Sequence, residues 1–200
     1  MATRKKSDTP KLDPVDAAIT LAASQNWRDI SMVDIATASG LAPAELFATY
    51  RSKSALLQAF ARRIDAAMIA AAARDAADGS ARDRLFAVIM ARLDALAPFK
   101  PALRSILRDT AMDASMTLAM LCSVDATLRW TLELAGLSAD GLVGAVRRKG
   151  LALIYADITR KWLKDDSADA GVTMAALDKN LARIESLAGR FRRQTPEKPA

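Results

Sequence analysis

At 200 residues, with 52% hydrophobic and 5% aromatic content, 8 glycines and 7 prolines, the chain can bury a sizeable core and favours an all-helical class over any sheet. With no histidine, one cysteine, no glycine-rich phosphate loop and no clustered metal-ligand spacing, nothing pairs a nucleophile with a base, so neither an enzyme nor a cofactor or metal is expected. The formal charge of +6 invites a nucleic-acid partner, yet it divides into +3 within residues 1–11, −2 within 12–55 and +5 beyond, which leaves the following segment slightly acidic.

Residues 1–11 form a polar basic arm (Arg4, Lys5, Lys6, Lys11) expected to be disordered on its own. A first helix follows, capped by Asp13 with Pro14 at its first position and Val15, Ala18, Ile19 and Ala22 along one face. Trp27 stands in the next loop, where its ring is expected to plug the base of a three-helix head while Arg28 and Asp29 stay wet. Ser31 has the side chain of a helix cap. The helix it opens carries Met32, Ile35, Ala36 and Ala38 on one face, and Gly40 supplies the left-handed end. Pro43 then suits a first helical position, and Leu46, Phe47 and Tyr50 are expected to point inward. Two short helices joined by a tight turn in this way read as a helix-turn-helix.

Ser31, Asp34-Ile35-Ala36, Gly40-Leu41, Leu46-Phe47, Tyr50, Ser52-Lys53 and Leu56-Leu57 resemble the amino-terminal motif of TetR-type regulators. The resemblance implies an all-α, TetR-like fold: a three-helix head over residues 12–55 and a helical-bundle body of about six helices over 56–190. The polar tail over 191–200 is expected to be disordered. The resemblance further implies duplex DNA as partner, contacted from Ser31, Ala42, Ala44, Glu45, Thr49, Tyr50, Arg51 and Lys53. Of these, Ala44, Glu45, Thr49 and Tyr50 would face the DNA, and Ser31, Arg51 and Lys53 would hold phosphate. The copy departs from the family where a capping Ser or Thr is usual: Ala42 can neither cap nor touch phosphate. Glu45 suits the helix dipole but repels phosphate, and no Lys or Arg lies between Leu41 and Tyr50.

Beyond the head, Ser52 caps a long helix with Leu56, Leu57, Phe60, Ile64 and Met68 on one stripe, alanine-rich from Ala66 to Ala77 and ended by Asp78-Gly79-Ser80. The next helix, Ala81 to Ala95, turns Leu85, Val88, Ile89 and Leu93 inward with Phe86 beside them. Pro98 and Pro101 bracket a break before a short helix through Leu103, Ile106 and Leu107. Met112, Met116 and Met120 then recur every fourth residue. Such a stripe serves as core filler or as the wall of a pocket for a loosely shaped apolar ligand. The candidate pocket residues are Phe86, Met90, Met112, Met116, Met120, Trp130 and Tyr155. Cys122, mid-helix, reads as a small buried hydrophobe.

Gly136 closes that helix, and Ser138, Asp140 and Gly141 begin another, with Val146, Gly150, Leu153, Ile154, Ile158 and Trp162 along one broad face. Ser167 is read as the cap of a last helix with Met174, Leu177, Leu181, Ile184, Ala188 and Phe191 at spacings near three and four. The family resemblance implies that the last two helices pair two copies as a four-helix bundle, here through Val146, Leu153, Ile158, Trp162, Leu177, Leu181 and Ile184. The run Arg147-Arg148-Lys149 reads as a solvated face or as a contact for acidic lipid head groups.

A second resemblance lies between Gly150 and Leu181. Tyr155, Trp162, Asp165-Asp166-Ser167, Asp169, Thr173 and Leu177 are similar to the carboxy-terminal segment of ubiquinone-biosynthesis lipid-binding proteins. That family shares the TetR-like fold, has lost DNA reading and takes isoprenoid lipids in the body. The sequence thus leads to a homodimeric TetR-type regulator sensing a small apolar ligand, with such a lipid-binding protein as the alternative. One unpaired cysteine, no secretory segment and apolar runs too short for the roughly 20 residues of a span point to the cytoplasm.

Overall fold

The computed structural model describes residues 12–74, 79–167 and 169–194, with side chains to residue 186. The basic arm, the helix end expected at Asp78, and the side chains of Ala188 and Phe191 lie outside that description. The described residues hold nine α-helices, two short 3-10 helices and no strand. In chain order the α-helices are α1 (Pro14–Ser24), α2 (Met32–Ser39), α3 (Pro43–Thr49), α4 (Lys53–Arg74), α5 (Ala81–Leu96), α6 (Lys100–Thr110), α7 (Ala114–Leu134), α8 (Gly141–Trp162) and α9 (Gly171–Gln194). The 3-10 helices are Trp27–Asp29 and Ala97–Phe99. Residues 191–194, read as tail, belong to α9.

Local chemistry starts α1, α2 and α4 where the sequence places the cap. Asp13 Oδ1 accepts from the backbone N–H groups of Val15 (2.8 Å) and Asp16 (3.3 Å). Ser52 likewise accepts from Ala55, and Ser80, read from the sequence only as part of the preceding helix end, accepts from Asp83 to start α5. Each cap satisfies amide groups that the first helical turn leaves without a partner.

The chain divides into two compact units. One takes residues up to Arg63 together with Phe99–Leu121, so it extends past residue 55 and includes α6. The reason lies in the turn around Trp27. Ser105 Oγ on α6 accepts from the Trp27 N–H at 2.9 Å and donates to the Gln25 carbonyl at 2.9 Å. Asp109 Oδ2 accepts from the Arg28 N–H at 3.0 Å. That bond, with the Arg108 guanidinium, holds the Asp109 carboxyl below the usual carboxylate range. α6 packs on α1, whose Val15, Ala17, Ala18, Ile19 and Ala22 are all buried. Phe60 meets Phe99 edge-on with ring centres 5.1 Å apart.

Four inward readings within this unit are corrected. Phe47 is exposed, because Leu46 alone of the seven residues in α3 is buried. Tyr50 follows α3 and is only half-buried. On α2 the inner face is Ile35, Ala36 and Ser39 rather than Ala38. Ser39 tolerates burial because its hydroxyl donates to the carbonyls of Ile35 (2.8 Å) and Ala36 (3.1 Å). Met112 lies in the turn before α7, exposed, and so falls out of the methionine stripe.

The second unit comprises Ile64–Pro98 and the chain from Cys122 onward. α9 packs on both α5 and α8. Cys122 is exposed rather than buried. The expected broad face of α8 is in fact two faces. Leu151, Ile154, Tyr155, Ile158 and Trp162 are buried, whereas Leu142, Val146 and Leu153 lie about half a turn away and are 88%, 71% and 76% exposed. Gly144 sits where a Cβ would come within 2.2 Å of the Ala139 carbonyl group, so α8 starts against the backbone of its own preceding loop. The run Arg147-Arg148-Lys149 is partly used for folding: Arg147 donates to the Ser138 carbonyl at 3.1 Å, and Arg148 binds the Ala139 carbonyl and Asp125.

The link from α8 to α9 is closed by Asp165 rather than by Ser167. Asp165 Oδ2 accepts from the Thr173 amide (2.9 Å) and hydroxyl (2.7 Å), and Oδ1 accepts from the Ser167 amide and hydroxyl. These bonds hold the Asp165 carboxyl far below its ordinary value. The folded form therefore keeps this acid ionised when the unfolded chain, titrating near the ordinary value of about 3.9, takes up a proton. Its contribution is complete above that unfolded value and declines as pH falls towards the folded one. Asp13, Asp34, Asp83, Asp113 and Asp157 shift in the same direction. With no histidine in the chain, stability is expected to be flat between about pH 5 and 8 and to fall below about pH 4. Urea unfolding at stepped pH checks this, and Asp165→Asn is expected to be less stable than the parent at pH 7 with the gap narrowing in acid.

Candidate nucleic-acid interface

The surface that the helix-turn-helix offers is built from two capping arrangements and a glycine. Ser31 Oγ accepts from the Asp34 N–H at 3.1 Å, while Asp34 Oδ2 accepts from the Ser31 amide at 2.8 Å and its hydroxyl at 2.7 Å. This reciprocal box starts α2 and lowers the Asp34 pKa. Gly40, at φ 68°, ends it, and the Leu41 N–H reaches back to the Ala36 carbonyl at 2.9 Å. A side chain with a Cβ is strained at that φ, which is why glycine stands there.

α3 starts without a side chain on its cap. Ala42 has no oxygen to offer, and Glu45 instead accepts from the Ala42 amide through Oε2 at 3.0 Å. That is the second half of a capping box with the first half missing. The Glu45 carboxylate thus has a structural use at the helix start, in addition to suiting the dipole. Pro43, Ala44, Glu45, Phe47, Ala48 and Thr49 are all exposed. The Arg51 guanidinium lies 6.0 Å from the Phe47 ring centre, beside this surface.

Lys53 is placed differently from the other candidate phosphate contacts. Its Nζ donates to the Trp27 carbonyl and, at 2.8 Å, to the Ile30 carbonyl, and it stands 4.6 Å from the Trp27 ring centre. Burial pushes its pKa down, opposed by the fields of Asp109, Asp29 and Asp113. The ammonium group therefore pins the turn before α2, and of the residues proposed to hold phosphate it is Arg51 that stands exposed with Ser31.

The candidate pocket residues are divided. Met112, Met116 and Met120 belong to the first unit, and Phe86, Met90, Trp130 and Tyr155 to the second. Met116 Sδ accepts from the Trp27 indole N–H at 3.4 Å. Phe86 lines a groove of about 380 Å³ with Arg82, Asp83, Met174, Ala175 and Asp178. Met90 is half-buried and Trp130 is exposed. Tyr155 is buried within a polar knot that sequence reading missed: Arg92 hydrogen-bonds the Tyr155 hydroxyl and pairs with Asp65 at 2.9 Å, and Thr127 donates to Asp65 at 2.9 Å. The signal was present, since Arg92 falls on the same helical stripe as Val88, Ile89 and Leu96.

Of the candidate dimer residues, Ile158, Trp162, Leu177 and Leu181 are enclosed within the chain and form no outer face. Val146, Leu153 and Ile184 remain outside. The Cβ that Gly150 lacks would lie 3.8 Å from Ile184 Cδ1, so α8 and α9 run close at that point.

The fold is similar to that of a TetR transcriptional regulator from Nitrosomonas europaea, with a TM-score of 0.70 at 26% identity over 85% of this chain and 94% of that one. It is also similar to a TetR transcriptional regulator from Rhodococcus sp., with a TM-score of 0.64 at 19% identity over 85% of this chain and 92% of the other. No protein-family model matches the sequence, and no curated protein matches it at a significant level.

Proposed function

We infer, from a chain that carries the TetR-type regulator fold, that it is a DNA-binding transcriptional regulator working as a homodimer, with a helical body that takes a small apolar ligand. The observation that carries this reading is the α2–Gly40–α3 unit: a capped helix, a left-handed glycine turn and a second helix with six of its seven residues turned to solvent. A helix held by one buried leucine and otherwise free is suited to enter a major groove. Backbone contact then falls to Arg51, Ser31 and the basic arm.

The test is binding to a fluorescent duplex pool at low and moderate salt. Binding is expected to weaken steeply with salt and to enrich one sequence, and Arg51→Ala is expected to weaken it for all sequences and to reduce the salt slope by about one. Lack of enrichment at both salts would sink the regulator. One observation favours the alternative: α3 presents alanines, Glu45 and Phe47, with no cation between Leu41 and Tyr50. In that case the protein is a lipid binder of the ubiquinone-biosynthesis type, and organic extraction of the purified protein is expected to release an isoprenoid. Asp165, Ser167 and Thr173 of the second motif are engaged in starting α9.

Dimerisation is assigned to the outer stripe of α8, Leu142, Val146 and Leu153, with Ile184 of α9. Exposed leucine and valine at this spacing form a helix-packing seam, and a charge within it meets its own copy across a two-fold axis. Leu153→Arg is expected to halve the mass measured by light scattering while leaving the helical content unchanged.

A further inference from the structure

We propose, resting on the DNA-binding reading, that α3 reads duplex DNA through the 5-methyl groups of thymine, with Phe47 as the principal contact. Ala44, Phe47 and Ala48 stand at i, i+3 and i+4 and so share one outward face of the helix. Phe47 is 60% exposed, whereas its neighbour Leu46 is 1% exposed and holds α3 to the head. The ring therefore lies outside the core, on the side of α3 that nothing in the described head covers.

α3 lacks the side chains that most often read purines. Guanine is read by a bidentate Arg or Lys, and adenine by a bidentate Asn or Gln. From Pro43 to Thr49 the chain has none of these four. Glu45, which could accept from cytosine N4, stands about a quarter turn from this face, with its Oε2 held by the Ala42 amide at the helix start. What stands on the face of Ala44, Phe47 and Ala48 is apolar: two alanine methyls and a phenyl ring. The one apolar feature that a base pair presents in the major groove is the thymine methyl. Arg51, 6.0 Å from the ring centre, sets a cation beside this contact for the phosphates that flank it.

The experiment selects sequences from a random-core duplex pool, then resynthesises the enriched duplex with deoxyuridine in place of thymidine. Enrichment of A·T pairs is expected, and loss of the methyl groups is expected to weaken binding roughly fourfold for each methyl contacted. Phe47→Ala is expected to weaken binding to the thymine duplex by a similar factor and to leave the uracil duplex unchanged. Because Phe47 lies outside the core, its replacement is expected to leave the melting temperature unaltered. Equal affinity for the two duplexes, with binding retained, would overturn the methyl reading and leave the DNA reading standing. Absence of binding to any duplex at low salt would overturn both.

Discussion

Replacing Trp27 with alanine is expected to cost about 3–5 kcal/mol, the range for removing a buried aromatic side chain from a core. Trp27 is 1% exposed; its ring organises two neighbours and its backbone a third. The Lys53 ammonium stands over one face, the indole N–H is held by Met116, and its backbone amide is held by Ser105. Alanine keeps the amide and loses the rest. Lys53 then keeps its two carbonyl partners but faces a cavity in place of the ring, a poor setting for a partly buried cation. Chemical unfolding with an unchanged m-value would show the loss as lower stability, and a thermal midpoint lower by roughly 10 °C accompanies it. Lys53→Met is expected to destabilise by less. Both variants act on the turn that enters α2, so DNA binding is expected to fall with folding of the head and not independently of it.

The Asp65→Ala variant is expected to lose about 3 kcal/mol, because it leaves the Arg92 guanidinium buried without its counter-charge. The Arg92 side chain is 9% exposed and that of Asp65 16%, which places the expected loss at the lower end for a broken buried pair. Tyr155 and Thr127 complete the arrangement: the tyrosine hydroxyl accepts from Arg92, and the threonine hydroxyl donates to Asp65. Four helices, α4, α5, α7 and α8, thus each contribute one polar group to one knot in the second unit. A double replacement, Asp65→Leu with Arg92→Met, removes both charges and is expected to recover most of the lost stability, since neither partner is then stranded. Urea titration of Asp65→Leu, Arg92→Met and the double variant closes the cycle. If the double variant is as unstable as Asp65→Ala, the loss comes from packing and not from an unpaired charge.

The helix starts and stops were legible because they depend on atoms three or four residues apart. Asp13, Ser31 and Ser52 accept from amides within their own first turn, and Gly40 adopts a φ that its sequence setting requires. The same holds for the family motif from Ser31 to Leu57, most of which is capping and packing chemistry of three short helices. It identified the fold for that reason, and for the same reason it says little about the partner. The second resemblance illustrates this: Asp165, Ser167 and Thr173 close the start of α9, a task that any helix start presents whatever its protein does.

By itself, then, the sequence determined the all-helical class, the caps, the glycine turn and the presence of a helix-turn-helix, all of which follow from local bonds and helical period. The tertiary structure decided which of two apolar faces of a helix is the inner one. On α8, Leu142, Val146 and Leu153 are as regularly spaced as Leu151, Ile154 and Ile158, and periodicity cannot rank two stripes of equal character; packing within the second unit does. It also sent Phe47 outward, since a seven-residue helix docked through Leu46 has room for only one such anchor. It turned Lys53 inward as well, because the carbonyls of Trp27 and Ile30, more than twenty residues away along the chain, converge on its ammonium group. Contacts at that separation are set by how helices pack, and no spacing rule within a helix encodes them.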